Sequence, residues 1–249
     1  MAGNWPQGYG YLPLGEVAST LDEAAKRIAD FAGPTWMTAT RQTAARGRRG
    51  RPWANPKGNF AATLVLPGAV GAEAALRSFT IALALHEALV ALTARPQSFA
   101  LKWPNDVLLN GGKLAGILLE ALSVGGQPVG LAIGIGVNLA EAPGADEVEE
   151  GALRPVSLLS ETGIAVTPED LLEALAPAYA HWEAQFATLG FAPIRQAWLA
   201  RAARLGEVVT ARLPGEEITG TFRDVDADGQ LVLSTPRGPR RIAAGDVFF

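Results

Sequence analysis

The chain has 249 residues, a formal net charge of −4 and no cysteine, with 49% of residues hydrophobic and 18% charged. That length and apolar fraction suffice for a sizeable core and exclude global disorder, while the lack of cysteine excludes a disulfide framework, a thiolate metal site and a thiol nucleophile. The acidic total argues against a general nucleic-acid binder, whose field is broadly positive.

The N-terminal stretch MAGNWPQGYGYLPLGEVAST has neither a basic leader nor a continuous apolar run, so it does not read as a secretory signal. Thr20-Leu21-Asp22-Glu23 has the form of a capping box and predicts a helix to about Phe31, with Ala24 and Ile28 on its apolar side. Thr35 to Thr40 reads as a strand entering Arg46-Gly47-Arg48-Arg49-Gly50-Arg51-Pro52-Trp53, and Asn59 to Leu66 as the strand leaving it. Five of the 21 basic residues, Arg41, Arg46, Arg48, Arg49 and Arg51, crowd into this short span. Guanidinium groups offer paired donors matched to carboxylate or phosphate oxygens, and glycines let the backbone approach a ligand. The stretch therefore reads as an anion clamp, with a solvated basic loop as the bland alternative.

Ala72 to about Ala94 is apolar nearly all round and predicts a helix buried against a sheet; His86 on it has no nearby ligand partner and reads as structural. Phe99 to Trp103 is a short strand ending in Lys102-Trp103-Pro104-Asn105-Asp106, with Val107 to Leu109 as its continuation. Asn110-Gly111-Gly112 then turns the chain into Lys113-Leu114-Ala115-Gly116-Ile117-Leu118. The uncharged run from Ala121 to Ala140 carries five glycines, Pro128 and Asn138, which suits two buried strands better than a membrane helix.

Pro143 to Pro155, with Asp146, Glu147, Glu149 and Glu150, reads as a solvated loop without a catalytic role. Thr167-Pro168-Glu169-Asp170 starts a helix to about Leu189, and a second helix spans about Ala192 to Leu205. After Gly206 come four short strand candidates, Val208–Leu213, Ile218–Val225, Leu231–Ser234 and Arg240–Ala243, which suggest a small β-barrel. The expected organisation is a catalytic domain over 1–205 and a β domain over 206–249.

Polar residues thus interrupt apolar strands at their ends: Lys102, Asn105 and Asp106, then Lys113, then Asn138. Two lysines and an arginine loop on one sheet call for a multiply anionic ligand, because isolated cations on apolar surface need partners.

The arginine stretch, Lys102 to Asp106, Lys113 to Leu118 and Gly134-Ile135-Gly136-Val137-Asn138 resemble, in order, the signature motifs of biotin protein ligases. The resemblance implies an α+β (mixed α/β) fold: a catalytic domain like that of class II aminoacyl-tRNA synthetases, followed by an SH3-like β-barrel. It implies an enzyme that forms biotinyl-5′-AMP from biotin and ATP with Mg²⁺, then transfers biotin to a lysine of the biotin carboxyl carrier protein of a carboxylase. By the family's pattern Arg48 and Lys113 are catalytic, and Ser19, Thr20, Gln42, Arg46, Gly47, Arg48, Lys113 and Gly116 bind biotin. Arg49, Arg51, Trp53, Lys102, Asn105, Asp106 and Asn138 serve ATP and the adenylate, with Asn105 and Asp106 as metal ligands. The loop is expected to be mobile without ligand. Ala45 and Leu21 depart from the family's usual glycine and asparagine, which bears on affinity more than on reaction type. The resemblance further implies a cytoplasmic protein, a possible homodimer through a sheet edge, and no membrane. With only eighteen residues before Ser19 it also predicts no specific DNA binding. A lipoate or octanoyl transferase and a nucleic-acid module are the competing readings.

Overall fold

A computed structural model describes residues 4–144, 148 and 153–249. Strands β1 (Gly10–Val17), β2 (Thr35–Gln42), β3 (Phe60–Pro67), β4 (Phe99–Lys102), β5 (Asp106–Leu109), β6 (Gly112–Val124) and β7 (Gln127–Val137) form one sheet in the order β1-β2-β3-β7-β6-β5-β4. Only β1 and β2 are parallel. The helices are α1 (Thr20–Arg27), α2 (Arg77–Thr93), α3 (Leu158–Thr162), α4 (Pro168–Leu189) and α5 (Phe191–Leu199).

Strand alternation sorts the two faces of this sheet. On β7, Ile133, Ile135 and Val137 belong to the main core with α2, α4 and α5, around the fully buried Trp36, Tyr179 and Trp198. The intervening Ala132 faces α1 with Leu21, Ala24, Ile28, Met37 and Val65, and Gly134 meets Leu21. The opposite face is thus left nearly free of side chains along β7, which opens room for a ligand.

Helix α4 begins as expected, with Thr167 accepting from the Asp170 amide, Asp170 returning the bond and Pro168 in the first turn. Such a cap contributes about 1 kcal/mol. Helix α1 is capped one residue earlier than the capping-box reading: Ser19 accepts from the Leu21 amide and Thr20 is already helical. Val107–Leu109 does not continue the preceding strand; β5 folds back antiparallel on β4 and pairs Lys102 with Asp106. The helix expected to reach Leu205 ends at Leu199, because the following residues hydrogen-bond to Leu101 instead. Strand β1, helix α3 and the last strand of the chain, Asp246–Phe248, had no counterpart among the expected elements.

The C-terminal strands β8 (Val208–Leu213), β9 (Glu216–Val225), β10 (Leu231–Thr235), β11 (Gly238–Ile242) and β12 (Asp246–Phe248) form an antiparallel sheet in the order β11-β10-β9-β8-β12. With β11 and β12 at opposite edges it is an open SH3-like sheet, not the closed barrel that was expected. Trp103 Nε1 donates to the Gly229 carbonyl at 3.0 Å, and Arg195 holds Asp224 and the Val225 carbonyl. These bonds, together with a shared core, dock the small sheet on the large one.

Ala121–Ala140 forms β6 and β7 rather than a helix. The helix of Ala72–Thr93 is long and apolar enough to cross a membrane, but more than half of it is buried in the core. His86 on α2 is buried beside Phe99, and burial, with the nearby Arg201 charge, lowers its pKa to about 4. His181 meets Gln185 on its own helix.

Candidate active site

A cavity of about 530 Å³ lies on the α1 face of the large sheet and reaches the C-terminal sheet. Its side toward β2 is neutral. Gln42 Oε1 accepts from the Thr20 amide at 2.8 Å and from Thr20 Oγ1 at 3.1 Å, and Thr63 Oγ1 donates to Thr20 Oγ1 at 2.8 Å. Ser19 and Thr20 are buried here at the N-terminus of α1, where free amides and hydroxyls suit a polar ligand group. Leu21 packs on Gly134, where an added Cβ would come within 3.0 Å of it. The position that departs from the family pattern thus gives an apolar wall.

The floor is glycine. A Cβ at Gly136 would lie 2.5 Å from Trp53 Nε1, and one at Gly116 would lie 3.1 Å from the same ring. Only glycine lets the indole rest on the sheet. The Lys113 ammonium stands 5.6 Å from the Trp53 ring centre, a cation–π contact at the border with the charged side.

Toward β5 the cavity is ionic. Lys113 Nζ lies 2.8 Å from one Asp106 oxygen and Lys102 Nζ 3.5 Å from the other. Burial alone would raise the Asp106 pKa, but the two ammonium charges outweigh it and hold the carboxyl below its usual range. Burial pulls the Lys102 pKa down, with Asp106 opposing. Two cations around one carboxylate leave this corner net positive and ready for an anion. Asn105 Nδ2 donates to the Ile117 carbonyl, which fixes the turn between β4 and β5.

The arginine loop closes the cavity. Its stem is a two-stranded turn: Arg46 bridges Pro52, the Gly47 amide donates to the Arg51 carbonyl at 2.8 Å, and the Trp53 amide to the Ala45 carbonyl at 3.0 Å. Arg46 points away from the charged corner. Its Nε and Nη2 reach the two oxygens of Glu120 at 3.1 and 2.9 Å, and Nη1 reaches Asp22 at 2.8 Å. The hydrogen bonds to Glu120 and Asp22 raise its already high pKa.

At the tip, Arg48, Arg49 and Arg51 converge on Asp246 at 3.2, 3.1 and 2.9 Å, and Arg48 also donates to the Gly245 carbonyl at 2.9 Å. Burial pushes the Asp246 pKa up, but Arg51, Arg48 and Arg49 outweigh it and leave it lowered. The loop is thus tied at both ends by ion pairs.

Of the expected site residues, Ser19, Thr20, Gln42, Arg46, Gly47, Arg48, Arg51, Trp53, Lys102, Asn105, Asp106, Lys113, Gly116 and Asn138 line the cavity. Arg49 does not; it is exposed and serves the tip from outside. Asn138 lines the wall but spends its amide on architecture, donating to the Val156 carbonyl at 3.1 Å and taking a 3.5 Å contact from Asn59. Asn105 and Asp106 fit poorly as a resident metal site: both Asp106 oxygens already face ammonium groups, and among the described residues no cluster of three His, Cys, Asp or Glu could hold an ion.

Sequence reasoning did not single out Asp22, Glu120, Asn59 or Asp246. It also missed the wall made by Leu153 and Pro155, where Lys113 pairs with the chain around Pro155. In sequence that segment reads as a solvated loop; Asp146, Glu147, Glu149 and Glu150 lie outside the described residues.

Residues 14–138 match the Biotin/lipoate A/B protein ligase family and residues 205–249 the Biotin protein ligase C terminal domain. The chain is 54% identical to a biotin–[acetyl-CoA-carboxylase] ligase of Paracoccus denitrificans over 95% of its own length and 99% of the relative's. It is 33% identical to the enzyme of that name from Mycobacterium tuberculosis, over 96% and 90% of the two chains. Its fold is similar to that of biotin protein ligase from Aquifex aeolicus in complex with biotin and ATP, with a TM-score of 0.83, 26% identity and 96% and 97% of the chains covered. A cavity that is hydrogen-bonding at one side and cationic at the other, on this fold and with these relatives, leaves one conclusion: the chain belongs to the biotin/lipoate A/B protein ligase family.

Proposed function

We propose that the protein is a biotin ligase that activates biotin as biotinyl-5′-AMP and transfers it to a carrier lysine. The observation that carries this reading is the division of the cavity between a neutral side at Ser19, Thr20 and Gln42 and a cationic side at Lys102, Lys113 and Arg48. A ureido ring offers donors and acceptors to the first, and a carboxylate meeting a triphosphate needs the second.

In the first step a biotin carboxylate oxygen attacks the α-phosphorus of ATP. The bond from that phosphorus to the bridging oxygen breaks, and pyrophosphate leaves. Two anions must meet, so the protein's contribution is to hold them together and neutralise charge as it develops. Lys113 and Arg48 are assigned that role. Lys113 is anchored by Asp106, and Arg48 moves from Asp246 to phosphate. Each such preorganised donor lowers the barrier by about 2.7–4 kcal/mol. Arg51 and Lys102 serve the remaining phosphate charge. Mg²⁺ would supply further neutralisation of phosphate charge, and Asp106, with both oxygens facing ammonium groups, is a poor ligand for it.

In the second step the neutral amine of the carrier lysine attacks the acyl carbon, AMP leaves, and the amine gives up a proton. No enzymic nucleophile is required. The acceptor is the biotin carboxyl carrier protein of a carboxylase, a reading supported by the names of the relatives, and the setting is the cytoplasm. A homodimer would use the open edge of β1 and is read by ultracentrifugation. Operator binding is not part of this function; a specific gel shift would overturn that.

The test is calorimetric titration of biotin with lipoate as control, followed by biotin-dependent pyrophosphate release from ATP. Saturable biotin binding with stimulated release is the expected result. Binding of lipoate in preference to biotin would move the protein to the other branch of the family.

A further inference from the structure

Arg46 has its donors committed to carboxylates of two different elements, Asp22 in the first turn of α1 and Glu120 on β6. One guanidinium facing two carboxylates is net negative, so an incoming phosphate is repelled there and not captured. Asp22 lies one residue beyond Leu21, the last cavity-lining residue of α1, and Glu120 lies on the strand that carries Lys113 and Gly116. Of the three, Arg46 alone lines the cavity, so the triad ties the root of the arginine loop from just outside the lining, to α1 on one side and β6 on the other.

We propose that Asp22 and Glu120 are positioning residues that clamp the stem of the arginine loop through Arg46 and so keep water from the activated acyl group. This inference rests on the function given above. The mixed anhydride is lost if water attacks its acyl carbon, releasing AMP and free biotin in place of the modified acceptor. A stem that opens in the middle of the cycle admits that water even while the phosphate-binding tip remains engaged.

The experiment compares Asp22→Asn, Glu120→Gln, the double variant and Glu120→Asp with the unaltered protein, without acceptor. Two rates are read: the initial burst of pyrophosphate and the slower steady release of AMP that reports leakage. In the double variant the clamp proposal expects a burst rate and melting temperature close to the unaltered protein. The steady AMP release rises roughly tenfold, the size of effect two half-exposed ion pairs can exert. The biotin KM rises with it and the ATP KM does not. Glu120→Asp, which keeps the charge, brings leakage back toward the original level. Unchanged leakage with an intact burst overturns the proposal, as does a joint fall of burst, leakage and melting temperature, which would mark a merely structural pair. If the unaltered protein shows no biotin-dependent burst at all, it is the underlying function that fails.

Discussion

The two ends of the arginine loop are built from the same chemistry with opposite balance. At the stem one guanidinium is held by two carboxylates, and at the tip three guanidiniums converge on the carboxylate of Asp246. The stem is net negative and rejects anions; the tip is net positive and keeps its arginines grouped around a counterion that a phosphate can replace. On the function proposed above, the arginine-rich loop is two devices, a fixed hinge and a loaded receptor. Which arginine belongs to which is decided by the carboxylates that reach it.

The comparison breaks most severely if the charge between the two ends is removed. Lys113→Ala deletes a cation from the reacting centre and leaves buried Asp106 with Lys102 alone. Single-turnover pyrophosphate release is expected to fall by about 10²–10³, the usual loss for one preorganised donor. A fall below about tenfold would take Lys113 out of the chemistry.

Gly136→Ala attacks the part of the loop that both ends share. A Cβ there comes within 2.5 Å of Trp53 Nε1, and the atom is on a strand in the sheet's interior, so the indole has to lift. Trp53 is bonded through its amide to Ala45, so stem and tip shift together. A loss of roughly tenfold or more in both biotin and ATP affinity is expected by calorimetry, since displacing a packed ring by this much costs about 1–3 kcal/mol. If only ATP affinity changed, the stem would be independent of Trp53.

Asp246→Asn sharpens the difference between the ends. Without ligand, the three tip arginines lose their contact to Asp246, and trypsin is expected to cut after Arg48 or Arg49 several-fold faster than in the unaltered protein. Biotin with ATP restores protection, because phosphates take the place of the carboxylate. The pH dependence follows from the lowered Asp246 pKa. A carboxyl more acidic in the fold than in the unfolded chain contributes stability that is present above the ordinary carboxylate pKa and is lost as pH falls through the folded value. The difference in melting temperature between the unaltered protein and Asp246→Asn should be constant from neutral to mildly acidic pH and close only in stronger acid. A difference that closes near neutrality would mean that Asp246 is not the group being titrated.

How much of this could be read from the chain depends on distance along it. Lys102, Asp106 and Lys113 were legible because charged residues stood at the ends of apolar strands, and β4 and β5 bring Lys102 and Asp106 together within four residues. Gly116 and Gly136 were visible as motif residues, and their reason, a floor for Trp53, is a matter of atomic contact. Asp246 gave no local signal: it is 198 residues from Arg48 and sits on a three-residue strand after Gly245. Glu120 lies 74 residues from Arg46 and Asp22 lies 24, and in sequence each reads only as a strand-end or helix-start acid. Strand β1 escaped because Pro13 interrupts its pattern, which an edge strand tolerates. The barrel closed on paper because four strands were counted; the fifth, β12, adds to the edge beside β8 and leaves β11 at the far side.

The smallest expected effect divides the tip itself. Arg48 is largely buried in the cavity wall and donates to both Asp246 and the Gly245 carbonyl, whereas Arg49 is exposed and touches Asp246 from outside. An exposed ion pair contributes about 0.2–1 kcal/mol, so Arg49→Ala should lower pyrophosphate release by less than about fivefold. Arg48→Ala, by contrast, should cost about 10² or more. Arg49 also holds a left-handed backbone, with φ of 59°, a conformation that costs a non-glycine residue about 1–2 kcal/mol. The Asp246 contact offsets that strain, and the alanine variant keeps the strain without the contact. Its loop should therefore be somewhat easier for trypsin to cut after Arg48 while the chemistry stays close to normal. Equal losses for the two variants would mean that the tip binds phosphate as an undivided cluster of charge, with no distinction between the arginine in the wall and the one outside it.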